Sequence, residues 1–128
     1  MRLRNRTSPV VLVVEDDAQL RQLAADTLAC SGYEVVEARD GREAIDQLQV
    51  HAPDLVLLDL NMPVMDGWQF RAEQRRLPER RLATIPVVLL TAVEAAQGHA
   101  TLLQAAGLVT KPFDPDTLLN TVQSALRH

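Results

Sequence analysis

The sequence predicts an α/β fold, a doubly wound parallel sheet of five strands with five helices over both of its faces. Two observations predict it. Strand-length apolar runs alternate with helical patterns along the whole chain, and Val10–Val14, Leu55–Leu58 and Val87–Leu90 are apolar at every position. A strand with one face in water alternates apolar and polar residues, whereas one covered on both faces does not.

Each element follows in order. Val10–Val14 is the first strand. Leu20, Leu23, Ala24, Thr27 and Leu28 then share one face at helical spacing, with Asp17 placed to cap the start and Gly32 to end the helix. Val35 and Val36 within Tyr33–Ala38 mark an edge strand. Asp40 and Glu43 have capping-box spacing ahead of a helix that buries Ala44, Ile45 and Leu48. Leu55–Leu58 is the third strand, and a third helix opens after Asp66-Gly67, with Trp68 and Phe70 as packing residues near its start. Val87–Leu90 is the fourth strand. A less sharply patterned helix lies around Ala95–Ala106, before a short last strand at Leu108–Thr110. Asp114 and Pro115 are an N-cap and first-turn proline leading into Leu118, Leu119, Val122 and Leu126.

A chain of 128 residues, 47% hydrophobic, suits one domain with a proper core. The expected division is a basic, flexible tail over residues 1–8, carrying Arg2, Arg4 and Arg6, and one domain over 9–128. Net charge is -4, and the part without the tail is more acidic still, which argues against direct nucleic-acid binding. Cys30 is the sole cysteine, so no intrachain disulfide forms, and it reads as a small buried hydrophobe. No apolar run reaches the roughly 18 residues of a membrane span. The basic N-terminus is followed by a short strand and three acids, which does not suit a signal peptide, so a cytoplasmic protein without membrane insertion is expected. His51, His99 and His128 lack metal-ligand spacing and read as surface residues. Arg71, Arg75, Arg76, Arg80 and Arg81, around Pro78, read as a solvated helix end and loop rather than a basic partner surface.

The chemistry sits where the apolar runs stop. Glu15 and Asp16 follow the first strand, Asp59 the third, Thr91 the fourth and Lys111 the last. In an open parallel sheet the carboxyl ends of the strands line one crevice, so these residues converge on a single site. An acid cluster suited to a hard cation, a carboxylate able to accept a phosphoryl group, a hydroxyl and an ammonium are the parts needed for reversible aspartyl phosphorylation. Three converging carboxylates repel one another, and a divalent cation offsets that repulsion. Asp17 reads as the first helix's cap rather than as a ligand.

Val-Val-Glu15-Asp16-Asp17, Asp54-Leu-Val-Leu-Leu-Asp59-Leu-Asn-Met-Pro63-Val-Met-Asp66-Gly67, Val-Val-Leu-Leu-Thr91-Ala92 and Thr110-Lys111-Pro112-Phe113 occur in that order. Taken together they resemble the receiver domain of two-component response regulators, of the stand-alone kind related to chemotaxis regulators, over roughly residues 9 to 127. The resemblance implies a flavodoxin-like strand order 2-1-3-4-5. It implies that Asp59 is the phosphoacceptor, taking its phosphoryl group from a phosphohistidine on a sensor histidine kinase or a histidine phosphotransfer protein. Asp16, Asp59 and the backbone carbonyl of Asn61 would bind Mg²⁺ directly, with Glu15 acting through water. Lys111 and Thr91 would engage the phosphoryl oxygens, and the Lys111-Pro112 bond is cis in relatives. Such a module is a signalling phosphoacceptor that assists its own phosphorylation and dephosphorylation, not an enzyme in the usual sense.

The chain ends at His128, directly after the last helix, so output is expected through binding an unidentified protein target or through phosphorelay. The alternative is a receiver excised from a hybrid kinase or a larger regulator. The family's aromatic three residues before the lysine is here Leu108, so a switch must travel through backbone and aliphatic packing. The stretch from Thr91 to Lys111 is slightly short, which bears on Val93–His99. Asn61 can hold a water and Val93 cannot, which implies self-dephosphorylation of intermediate speed. A haloacid-dehalogenase-type phosphatase wants an acid where Asn61 stands. A flavodoxin-type FMN binder wants a phosphate-cradling loop where Asp16-Asp17-Ala18 stands.

Overall fold

The structure, a computed structural model, describes residues 8–92 and 96–127. Five parallel strands, β1 (Val10–Val14), β2 (Glu34–Ala38), β3 (Leu55–Asp59), β4 (Val87–Ala92) and β5 (Gly107–Lys111), form one sheet in the order β2-β1-β3-β4-β5. The helices are α1 (Ala18–Cys30), α2 (Gly41–His51), α3 (Gly67–Arg75), α4 (Arg80–Ala83), α5 (Ala96–Leu103) and α6 (Pro115–Leu126). Strand count and order are those expected. The expectations placed on the tail before Ser8, on Val93 and on His128 lie outside the described residues.

Burial on both faces explains the unbroken apolar runs. Along β1, Val11 and Val13 join Ala24, Leu28, Leu118 and Val122 beneath α1 and α6. Leu12 and Val14 point the other way, into a cluster with Ala44, Leu48 and Phe70. A third, smaller cluster of Leu60, Leu89 and Leu103 lies beneath α5, with Leu108 packed against it.

Three expectations are corrected. Among the described residues there are six helices, because Arg80–Ala83 closes a helical turn that buries Leu82 in the stretch read as loop. In α1 the buried residues are Ala24, Ala25 and Leu28, while Leu23 is 48% exposed. The two adjacent alanines take the inward face of the helix, and Leu23 lies outside it. Cys30 is exposed, not buried. It stands two residues past Leu28, about 200° further round the helix, and so faces away from the core.

The termini of the helices obey local chemistry. Asp17 accepts from the amides of Gln19 and Leu20. At the other end of α1, Gly32 takes φ +94°, with Gly32 N donating to Ala29 O and Tyr33 N to Leu28 O, a Schellman arrangement. Asp40 accepts from the Glu43 amide, but the Glu43 carboxylate returns to the amide of Arg39 rather than of Asp40. The full capping box belongs to Asp66 and Gln69 at the start of α3. Asp114 caps α6 through Thr117. The Lys111-Pro112 bond is cis.

The loop from β3 to α3 folds back on the strand end that carries Asp59. Gly67 N donates to Leu60 O at 3.0 Å, and a Cβ on Gly67 would lie 2.6 Å from the carbonyl oxygen of Asp59 and 2.8 Å from Leu60 Cα. Both neighbours are backbone, so neither can swing aside. Gly67→Ala is therefore expected to lose roughly 1–3 kcal/mol, the usual range for overpacking. Urea unfolding followed by circular dichroism measures the loss, and an unchanged midpoint would show that the loop relaxes freely.

Candidate functional site

Four of the residues singled out from the sequence meet at the carboxyl edge of the sheet. Glu15, Asp16 and Asp59 each offer a carboxylate oxygen within 4.8 Å of the others. Glu15 and Asp59 are buried, at 1% and 2% exposure, and Asp16 is open to solvent. Lys111 bridges the buried pair, with Nζ 2.8 Å from Glu15 Oε1 and 3.2 Å from Asp59 Oδ1. The Asn61 amide donates to Asp59 Oδ1 at 3.3 Å, and the Asp17 amide to Glu15 Oε2 at 3.1 Å. Arg21 approaches from α1, but its Nη1 donates to the backbone carbonyl of Glu15 and its Nε pairs with Glu37.

Secondary structure explains the convergence. β1 and β3 are neighbours in the sheet, with Val14 opposite Leu58, so the next residue of each strand brings Glu15 and Asp59 together. Thr91 is buried on β4, one residue past Leu90, which pairs with Asp59. Lys111 ends β5 opposite Ala92 and reaches across β4 to the acids.

Burial dominates the electrostatics. It pushes Glu15 up to about 7, against the opposing pull of Lys111 and of the Asp17 amide, while the charge of Asp59 adds to the rise. Asp59 is raised too, chiefly by burial and against the pull of Lys111. Burial lowers Lys111, but Glu15 and Asp59 outweigh that effect and its ammonium is held above the ordinary value. Three carboxylates facing one ammonium leave the cluster a net anion when all are ionised. A set of hard oxygen donors, partly buried and open on the Asp16 side, fits a small divalent cation that keeps some of its waters.

Several residues take different roles from those expected. Arg71 is 8% exposed, not solvated, and its guanidinium and that of Arg75 reach the carbonyl of Leu103 at the end of α5. His99 is half-buried and lies edge-on to Trp68, with ring centroids 5.3 Å apart. Gln74 is fully buried in α3. The spacing of Arg71, Gln74 and Arg75 puts them on one helix face, and that was the available sign that they act together. The charge of the two arginines pointed to solvent instead.

A family model described as the response regulator receiver domain matches residues 11–123. Among curated relatives, the probable transcriptional regulator ycf27 of Cyanophora paradoxa is 38% identical over 119 residues, covering 91% of this chain and 48% of that protein. The phosphate regulon transcriptional regulatory protein PhoB of Escherichia coli (strain K12) is 37% identical over 119 residues, covering 91% of this chain and 51% of that protein. This chain thus spans about half the length of the curated relatives it matches. The solved structure of chemotaxis response regulator CheY4 of Vibrio cholerae superposes with a TM-score of 0.84 at 36% identity, covering 93% of this chain and 99% of that one. The signal receiver domain of a histidine kinase from Syntrophus aciditrophicus gives a TM-score of 0.81 at 32% identity, covering 94% and 91%.

The raised Glu15 carries a pH signature. A carboxyl whose folded pKa lies above its unfolded value contributes stability that is full below the unfolded pKa and lost as pH rises through the folded one, here about 7. In metal-free buffer, Glu15→Gln should therefore gain in melting temperature relative to the wild type as pH rises from about 5 to 8. A difference that stays constant across that range, measured by calorimetry in EDTA, would contradict the assignment.

Proposed function

This chain belongs to the response regulator receiver domain family, and from that premise we propose that Asp59 accepts a phosphoryl group from a phosphohistidine donor, with Mg²⁺ bound beside it. The observation that carries the reading is Lys111 held between Glu15 and Asp59 within a three-carboxylate cluster. A phosphoryl group arriving at that cluster adds negative charge where negative charge already dominates, so catalysis there is mainly electrostatic stabilisation and positioning.

Asp59 attacks phosphorus through a carboxylate oxygen. The P–N bond to the donor imidazole breaks as the P–O bond forms, and the imidazole leaves with a proton from solvent. The Asn61 amide and Lys111 both engage Oδ1 of Asp59, which sets the orientation of the carboxylate. Lys111 offsets charge on the transferring group, and the Thr91 hydroxyl donates to a phosphoryl oxygen. Asp16, Asp59 and the Asn61 carbonyl are the proposed Mg²⁺ ligands, with Glu15, already engaged by Lys111, behind them. The ion would neutralise carboxylate and phosphoryl oxygens together.

The donor in this proposal is a sensor histidine kinase or a histidine phosphotransfer protein. The signal leaves through altered protein binding or through phosphorelay, in the cytoplasm, from a folded unit covering residues 9–128. No helix among the described residues is long and apolar enough to cross a membrane. A second reading, a receiver that serves a longer regulator or hybrid kinase, is favoured by the half-length match to ycf27 and PhoB. In that case contact with nucleic acid would belong to another part of the protein, because the folded part of this chain is acidic.

Acetyl phosphate with Mg²⁺ should add one phosphoryl group by intact mass, and EDTA or Asp59→Asn should abolish the addition. Labelling that persists in Asp59→Asn would reject the acceptor assignment. Separately, Mg²⁺ should raise the melting temperature of the unlabelled protein in the form RT ln(1 + [L]/Kd). Asp16→Ala should remove that response, and a response that survives would place the ion elsewhere.

A further inference from the structure

α3 and α5 each follow a strand end of the site, α3 by way of the loop after Asp59 and α5 after the segment following Thr91. Two sets of contacts that the phosphoryl chemistry does not use join these helices. In the first turn of α3, Trp68 meets His99 of α5 edge-on, with an interplanar angle of 83°. Further along, Arg71 Nε donates to Leu103 O at 3.1 Å and its Nη2 to Gln104 O at 3.2 Å. Arg75 Nη2 donates to Leu103 O at 2.8 Å and to Gln104 Oε1 at 3.0 Å. Gln104 takes φ +54° where α5 ends, so α3 holds both the carbonyl and the side chain of a residue in the left-handed region. The network continues inward. Arg71 Nη1 donates to Gln74 Oε1 at 2.8 Å, and Gln74 Nε2 donates to Leu82 O and Ile85 O, just ahead of β4.

Among the described residues, the acceptors of Arg71 are two main-chain carbonyls and one side-chain amide, with no carboxylate. Burial and the neighbouring Arg75 push its guanidinium down to about 10, so it remains a cation at neutral pH. A cation facing the last carbonyls of a helix is favourably placed, because those groups lack intrahelical partners and carry the negative end of the helix dipole. Pulling α5 away would strand a buried charge and unpaired carbonyls. The eight described residues of α5 are too few to be stable unaided, so their order depends on what holds them. On its β5 side it meets the aliphatic Leu108 through nondirectional packing. Arg71 and Arg75 of α3 add directional contacts at its end.

We propose that Arg71 pins α3 and α5 into one unit that opens and moves as a single body, so that a displacement imposed on α5 from the Thr91 strand end is handed to α3. The pin stands on these contacts alone, and the handing-on of a signal rests on the phosphoacceptor reading of Asp59.

Hydrogen–deuterium exchange on the full, unlabelled chain tests the pin. In the wild type, amides of residues 71–75 and 99–104 should show protection within about threefold of each other, as expected of one cooperative unit. Arg71→Met, similar in length and without donors, should speed exchange in 99–104 by about tenfold or more, while 71–75 and the sheet stay within about threefold. Protection of the two helices differing by more than about tenfold in the wild type, or a uniform increase across the sheet in the variant, overturns the proposal. Should Arg71→Met fail to fold, Arg71→Lys is the variant to read. It keeps the charge but cannot reach three acceptors at once, and it too should loosen α5 ahead of α3. With acetyl phosphate and Mg²⁺, amide NMR shifts of 71–75 should follow those of 99–104 in the wild type and not in Arg71→Met. A wild type that takes no label by intact mass counts against Asp59 as acceptor, and the exchange result still decides the pin. A labelled wild type in which α5 responds while α3 stays silent overturns the handing-on.

Discussion

Glu15 and Asp59 can be buried side by side because Lys111 brings an ammonium to 2.8 and 3.2 Å from them. Burial alone would drive both carboxyls towards the neutral acid, and it raises both even with the lysine present. The remaining excess of negative charge prepares the site for something positive. That excess is a cost to the folded protein that a hard cation at the cluster would relieve.

The architecture makes this concentration of charge possible. A parallel sheet covered on both faces has no room for polar side chains along its strands, so they gather at the strand ends, and parallel strands present all their carboxyl ends at one edge. β1 and β3 carry their acids to that edge directly, while β5 supplies a side chain long enough to cross from beyond β4. The loop after β3 is held close by Gly67, whose missing side chain lets the backbone of the helix start touch the backbone beside Asp59. The position of Asp59 is thus fixed from two sides, by the sheet register and by the returning loop.

Polar groups outside the site are also put to structural use. Gln74 and Arg71 are buried in α3, where apolar residues would be the simpler filling. Their hydrogen bonds have direction, and they tie α3 to the end of α5 and to the residues that precede β4. They add direction where Leu108 of β5 offers α5 only aliphatic packing.

How much was legible in the sequence follows from the range of the forces involved. The strands were readable because uninterrupted apolar runs have one explanation in a chain that alternates with helices. The caps at Asp17 and Asp114 were readable because a cap is a contact across two or three residues. Glu15, Asp16, Asp59 and Lys111 could be singled out because each stands at or just past the end of a strand, and the structure brings these four together. Tertiary structure alone decided which face of α1 turns inward, because helical spacing of apolar residues left more than one face available, and it sent Leu23 and Cys30 outward. It alone decided that Arg71 is buried. A guanidinium leaves water only where carbonyls from a distant helix end replace its hydration, and those carbonyls belong to Leu103 and Gln104, more than thirty positions further along the chain.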